Sequence, residues 1–94
     1  MEETGKCPIA NPAIVLREEF DDWAVLFDPD TGNAFGLNPT GVFIYKCMDG
    51  THTDKEILDS LKQEAEGVPP EAGEHLREFI RMLVQQGLAG YEVL

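Results

Sequence analysis

Positive charge is scarce in this chain. Lysine and arginine number 7 against 18 aspartates and glutamates in 94 residues, a formal net charge of −11. That excess repels phosphate backbones and anionic head groups, so nucleic acid and membrane surfaces are not expected partners, whereas a basic peptide or basic protein surface is attracted. Cysteine is scarce as well. Cys7 and Cys47 lie far apart and form no C-x-x-C pair, which excludes a disulfide scaffold and a cysteine metal or redox centre. No run approaches the roughly 18 apolar residues that a membrane span needs. The start, Met1 to Lys6, lacks a basic segment followed by an apolar one, so no signal peptide is expected and the cytoplasm is the expected compartment. Also missing are a phosphate-cradling glycine loop, a G-x-S-x-G elbow and an H-E-x-x-H helix. His52 and His75 have no partner at a metal-ligand spacing. The pairs Glu18-Glu19 and Asp21-Asp22 fall in or beside a turn, where carboxylates are solvated. Cys47 sits in an apolar segment and reads as a small buried hydrophobe. No catalysis, metal or cofactor is expected.

What is present is organised around Asn38 to Gly50. Asn38 is a helix N-cap and Pro39 suits the first helical position, where its missing N–H is harmless. Val42, Phe43, Ile44, Tyr45, Cys47 and Met48 make this helix apolar on nearly every side, the mark of burial at a domain centre. Glycine at position 50 can take the left-handed conformation that ends a helix.

The chain is long enough for one domain, 13–94, preceded by a polar, proline-bearing flexible arm over 1–12. Three apolar stretches, 13–18, 23–27 and 33–37, read as strands. Short turns at Phe20-Asp21-Asp22-Trp23 and Asp28-Pro29-Asp30-Thr31-Gly32 join them, so they form an antiparallel meander; parallel neighbours need a crossover of about a dozen residues. On the third strand Phe35 and Leu37 share one face, Ala34 and Gly36 the other. Gly36 marks a bulge, a tight fit against a helix, or a place where another backbone comes close. Thr53 with Glu56 is a capping box that opens a second helix, with Ile57, Leu58, Leu61 and Ala65 on one stripe and an end at Gly67. A third helix carries Leu76, Phe79, Ile80, Leu83 and Val84 and stops at Gly87. Leu88 to Leu94 either packs on the core or extends as a tail.

Leu37-Asn38-Pro39-Thr40-Gly41, the apolar run to Met48-Asp49-Gly50-Thr51, then Glu56-Ile57, Phe79 to Leu83 and Gly87-Leu88 resemble the PqqD-like family over about Ala13 to Tyr91. Its members are small peptide chaperones, or RiPP recognition elements. Gly41 stands where many relatives have alanine, a departure that weakens the helix start slightly. The resemblance implies an α+β, winged-helix-like fold, with the three-stranded antiparallel meander followed by three helices. It implies a non-catalytic module that captures the leader of a ribosomally made precursor peptide by strand addition and presents it to a modifying enzyme, commonly radical SAM. The strand role then falls on Ala34, Phe35, Gly36 and Leu37, and the groove wall on Phe79, Leu83 and Gln86. A free edge strand suits strand addition independently of the resemblance. Two other readings stand beside it. One is a docking subunit of the enzyme that never touches peptide. The other is a winged-helix nucleic-acid binder, opposed by Asp54, Glu56, Asp59, Glu64 and Glu66 against Lys55 and Lys62 on the second helix.

Overall fold

A computed structural model describes residues 6–64 and 67–93. In chain order the elements are β1 (Lys6–Ala10), β2 (Val15–Glu18), a short 3-10 turn (Phe20–Asp22), β3 (Ala24–Phe27), β4 (Ala34–Leu37), α1 (Pro39–Lys46), α2 (Asp54–Glu64), α3 (Ala72–Gln85) and β5 (Ala89–Val93). The α+β architecture expected from the sequence is observed: β2, β3 and β4 form an antiparallel sheet in that order, and three helices follow.

Local chemistry accounts for the joints. The Asn38 side chain accepts the Gly41 amide at 2.8 Å, with Pro39 beginning α1. Glu56 and Thr53 form both halves of the capping box: the Thr53 amide donates to Glu56 Oε1 (2.9 Å) and the Glu56 amide to Thr53 Oγ1 (3.2 Å). At the end of α3, Leu88 donates to the Leu83 carbonyl (2.9 Å) and Gly87 to that of Val84 (3.1 Å), with Gly87 at φ 77°. This paired closure reverses the chain and buries Leu88 against the core. Ala65, expected on the α2 stripe, lies outside the described residues.

The core joins the inward face of the sheet (Ala24, Leu26, Leu37) to α1 (Val42, Ile44, Tyr45), Met48, Ile57 of α2 and Leu76, Ile80 and Leu83 of α3. The shortest helix, α1, buries Gly41, Val42, Ile44 and Tyr45, four of its eight residues and the largest share of any of the three helices, in keeping with its apolar composition. It ends at Lys46, however, not at the Asp49-Gly50 pair, which makes a separate turn.

Two departures concern the ends of the chain. The arm expected over 1–12 contains β1, which pairs antiparallel with β5 from Lys6↔Val93 to Ala10↔Ala89. Residues 88–93, for which two fates were open, therefore pack back as a buried leucine and a strand. Proline at position 8 argues for a loop, but the hydrogen-bond pattern removes the conflict. Asn11 donates to Leu88 (3.0 Å) on the β5 side, whereas Ala10 donates to Met48 (2.8 Å) on the other. Even-numbered residues of β1 thus face away from β5, so the absent N–H of Pro8 interrupts no rung of that ladder.

Candidate functional site

β4 is an edge, and its backbone has one unpaired side among the described residues. Which residues supply that side follows from two bonds at the ends of β3. The Asp28 amide donates to the Asn33 carbonyl (2.9 Å), toward β4, and the Glu19 amide donates to the Trp23 carbonyl (2.7 Å), toward β2. Backbone direction alternates along an antiparallel strand, so residues 24 and 26 face β4 and residues 23, 25 and 27 face β2. Across the register Ala24↔Leu37 and Leu26↔Phe35, Phe35 and Leu37 turn their amides and carbonyls inward to β3. Ala34 and Gly36 turn theirs to the open edge.

Nothing within the fold requires glycine at 36. The β3–β4 register runs unbroken through Val25↔Gly36, which removes the bulge. Its φ is not positive, and a Cβ built there meets no atom within 4 Å, which removes the tight intramolecular fit. Neither intramolecular reading of this glycine holds, and the space beside it is open.

Along the inner side of this edge runs a groove of about 480 Å³. Phe35, Gly36 and Leu37 form one wall, and Ala72, His75, Leu76, Phe79 and Met82 of α3 the opposite one. Asn38, Thr40, Gly41 and Ile44 close the α1 end, with Leu61 and the 67–69 segment beneath the start of α3. No Lys, Arg, Asp or Glu is among these lining residues. An uncharged, mostly apolar trough beside open backbone groups has the shape and chemistry of a peptide-binding groove.

The structure brings together four of the seven residues expected at the site: Phe35, Gly36, Leu37 and Phe79 all line the groove. Ala34 lies on the same edge without lining it. Leu83 is fully buried (0% exposed), packs in the core and is not among the lining residues. Gln86 caps α3 one turn beyond the groove and is exposed. The residues missed include His75 and Met82, which with Phe79 are the lining residues of α3 that are not buried. Their spacing with Phe79, four and three residues, places them on one stripe of α3 beside the core stripe Leu76, Ile80, Leu83. Reading the apolar positions as one face merged the two stripes, and only the offset of Phe79 from Ile80 hints at the division.

Away from the groove, one polar cluster stands out. Asp49 Oδ1 accepts from Thr51 Oγ1 (2.6 Å) and the Thr51 amide (3.0 Å) and lies 3.0 Å from His52 Nδ1. These hydrogen bonds, those from Thr51 foremost, hold the Asp49 carboxyl at about 2. Burial, with the charge of Asp49 second, pushes the Cys47 thiol up, away from the thiolate that nucleophilic chemistry needs. Among the described residues no group of three or more His, Cys, Asp or Glu side chains could hold a metal ion, and no helix is long and apolar enough to cross a membrane.

A family model described as coenzyme PQQ synthesis protein D (PqqD) matches residues 24–89, which include β3, β4 and all three helices. Among solved structures, TbiB1 in complex with the TbiA(beta) leader peptide is similar, at 30% identity and a TM-score of 0.72, covering 86% of this chain and 93% of that one. No curated protein matches significantly.

Proposed function

The chain belongs to the PqqD family, and from that premise we propose that it is a non-catalytic module that captures the leader of a precursor peptide by strand addition at β4 and presents it to a modifying enzyme. The observation that carries this reading is the open backbone of Ala34 and Gly36 running beside an uncharged groove. A leader laid along β4 gains main-chain hydrogen bonds at those two residues. Its side chains on the inner face meet Phe35, Phe79 and Met82. Gly36 leaves the outer face free of any side chain that would hinder the approach. A relative of the same fold has been solved with a leader peptide, which supports the same role here.

The binding residues in this reading are Ala34, Phe35, Gly36, Leu37, Phe79 and Met82, with His75 at the margin. Radical SAM chemistry in the partner enzyme rests on the family resemblance. The two free thiols and the absence of a membrane-crossing helix among the described residues are compatible with the cytoplasm as the site of action.

The test is direct. A synthetic leader of the cognate precursor peptide is titrated against the protein by calorimetry, with Ala34→Pro as the control. Binding by the native chain that Ala34→Pro weakens while the fold stays intact supports strand addition. A leader that fails to bind, while the chain still associates with its enzyme, would show a docking subunit instead.

A further inference from the structure

The hairpin between β2 and β3 presents two aromatic side chains at the end of the sheet. Phe20 is 81% exposed and Trp23 52%, more than any other large apolar side chain described. No residue of the turn is buried, so the core does not dictate an aromatic at position 20. The turn is also strained. Asp21 and Asp22 adopt φ values of 61° and 64°, in the left-handed region that non-glycine residues disfavour, and no side-chain cap relieves them. Charge around the aromatics has one prevailing sign. Glu18 is paired with Lys46 (3.1 Å) and Glu19 with Arg17 (3.5 Å), whereas Asp21 and Asp22 have no ion pair among the described residues. The tip thus couples an exposed aromatic pair to two free carboxylates.

We propose that this tip is the docking point for the peptide-modifying enzyme, which meets it with an apolar recess rimmed by lysine and arginine. The identity of the partner rests on the function proposed above; the surface does not, since none of its residues lines the groove. Aromatic anchors in apolar recesses carry much of the affinity of protein interfaces, and free carboxylates beside them select a basic rim. A second copy of this chain is disfavoured by the like charge of two −11 molecules. The position suits presentation. Ala24, next to Trp23, pairs with Leu37, so the tip and the α1 end of the groove lie at the same end of the sheet. An enzyme anchored there leaves the groove open, and delivery of the captured peptide becomes an intramolecular step.

The single tryptophan makes the test specific. The chain is prepared with fluorotryptophan at Trp23, and its one fluorine resonance is followed against three additions: the cognate peptide-modifying enzyme, the leader peptide, and phosphatidylcholine vesicles. The expected result is that the enzyme shifts or broadens the resonance. Phe20→Ala should weaken enzyme binding at least about tenfold while changing leader affinity less than about twofold. Asp21→Asn with Asp22→Asn should flatten the salt dependence of enzyme binding. The proposal is overturned if the enzyme does not bind, or if it binds with the resonance unmoved and Phe20→Ala silent. It is also overturned if vesicles, or raising the concentration of the chain alone, produce the shift, which would make lipid or a second copy the occupant. A leader that does not bind defeats the groove reading only, because the Trp23 signal reports enzyme docking by itself.

Discussion

β1 and β4 are both short strands, and each has one regular ladder partner, yet their second sides are used differently. The far side of β1 is closed by the turn after α1: Ala10 donates to Met48 and Gly50 to Pro8, at 2.8 and 3.1 Å. The far side of β4 has no described partner. An open edge exposes amides and carbonyls that invite any passing strand, and proteins usually cover it. Here the covered edge carries Cys7 and Pro8, buried to 2% exposure or less, and ties β1 to the turn after α1. The uncovered one faces an apolar groove. Closure makes β1 part of the scaffold, whereas β4 keeps one side of its backbone unpaired among the described residues.

The comparison breaks most readily at the core behind the groove. Leu83→Ala should destabilise the fold by about 2–5 kcal/mol in chemical denaturation, because the side chain is fully buried. The folded fraction of that variant should bind leader with unchanged affinity. A selective loss of binding would return Leu83 to the groove and sink the division of α3 into two stripes.

Proline scanning of β4 comes next in size. Phe35→Pro removes an amide that faces β3 and leaves its ladder partner unsatisfied, which should cost about 1–3 kcal/mol of stability. Ala34→Pro removes one that faces the open edge, so stability should change little while leader affinity falls by about 1–2 kcal/mol. Equal effects of the two prolines on stability would mean that the alternation assigned to β4 is wrong.

Acid tests the closed edge. The Asp49 carboxyl is held at about 2 against an ordinary 3.8, so the folded chain binds fewer protons there than the unfolded chain. Its contribution is present above about 4 and is lost as pH falls toward about 2. Asp49→Asn should remove that part of the pH dependence from acid titrations of stability. A wild-type profile superimposable on that of the variant would show that the cluster of Asp49, Thr51 and His52 does not stabilise the turn that closes β1.

The smallest effect is expected at Gly41. Alanine there favours the helix, but its Cβ would lie 3.3 Å from Phe79 Cζ and Asn38 Oδ1, so those neighbours must give way slightly. The net stability change should stay below about 1 kcal/mol. Displacement of the Phe79 ring should still be visible in side-chain NMR shifts, and leader affinity should fall modestly. An unmoved ring would separate Gly41 from the groove.

Much of this fold was legible in the sequence because its joints have chemical signatures. The Asn38-Pro39 start, the Thr53–Glu56 capping box and the Gly87 stop each appear where the residues place them. β1 was not legible, since Pro8 is compatible with a strand only through its position in a ladder formed with the far end of the chain. The site was half legible. Phe35 and Leu37 follow from alternation, whereas the division between Phe79 and Leu83 depends on where the neighbouring elements lie. The periodicity of α3 alone gives an apolar arc without its borders.

The pairing of β1 with β5 has a consequence for how such a domain can be built into larger proteins. Lys6 and Val93 are register partners, so their backbones lie about 4.5–5.5 Å apart. The polypeptide enters and leaves the domain through one doorway. A host protein can therefore accept it in a surface turn as a cassette, needing no spacer to bridge the two ends. The same proximity favours circular permutation, with Lys6 and Val93 joined by a short glycine linker and new ends opened at the exposed 29–32 turn. In either arrangement α1, α3 and the groove keep their relation to β4.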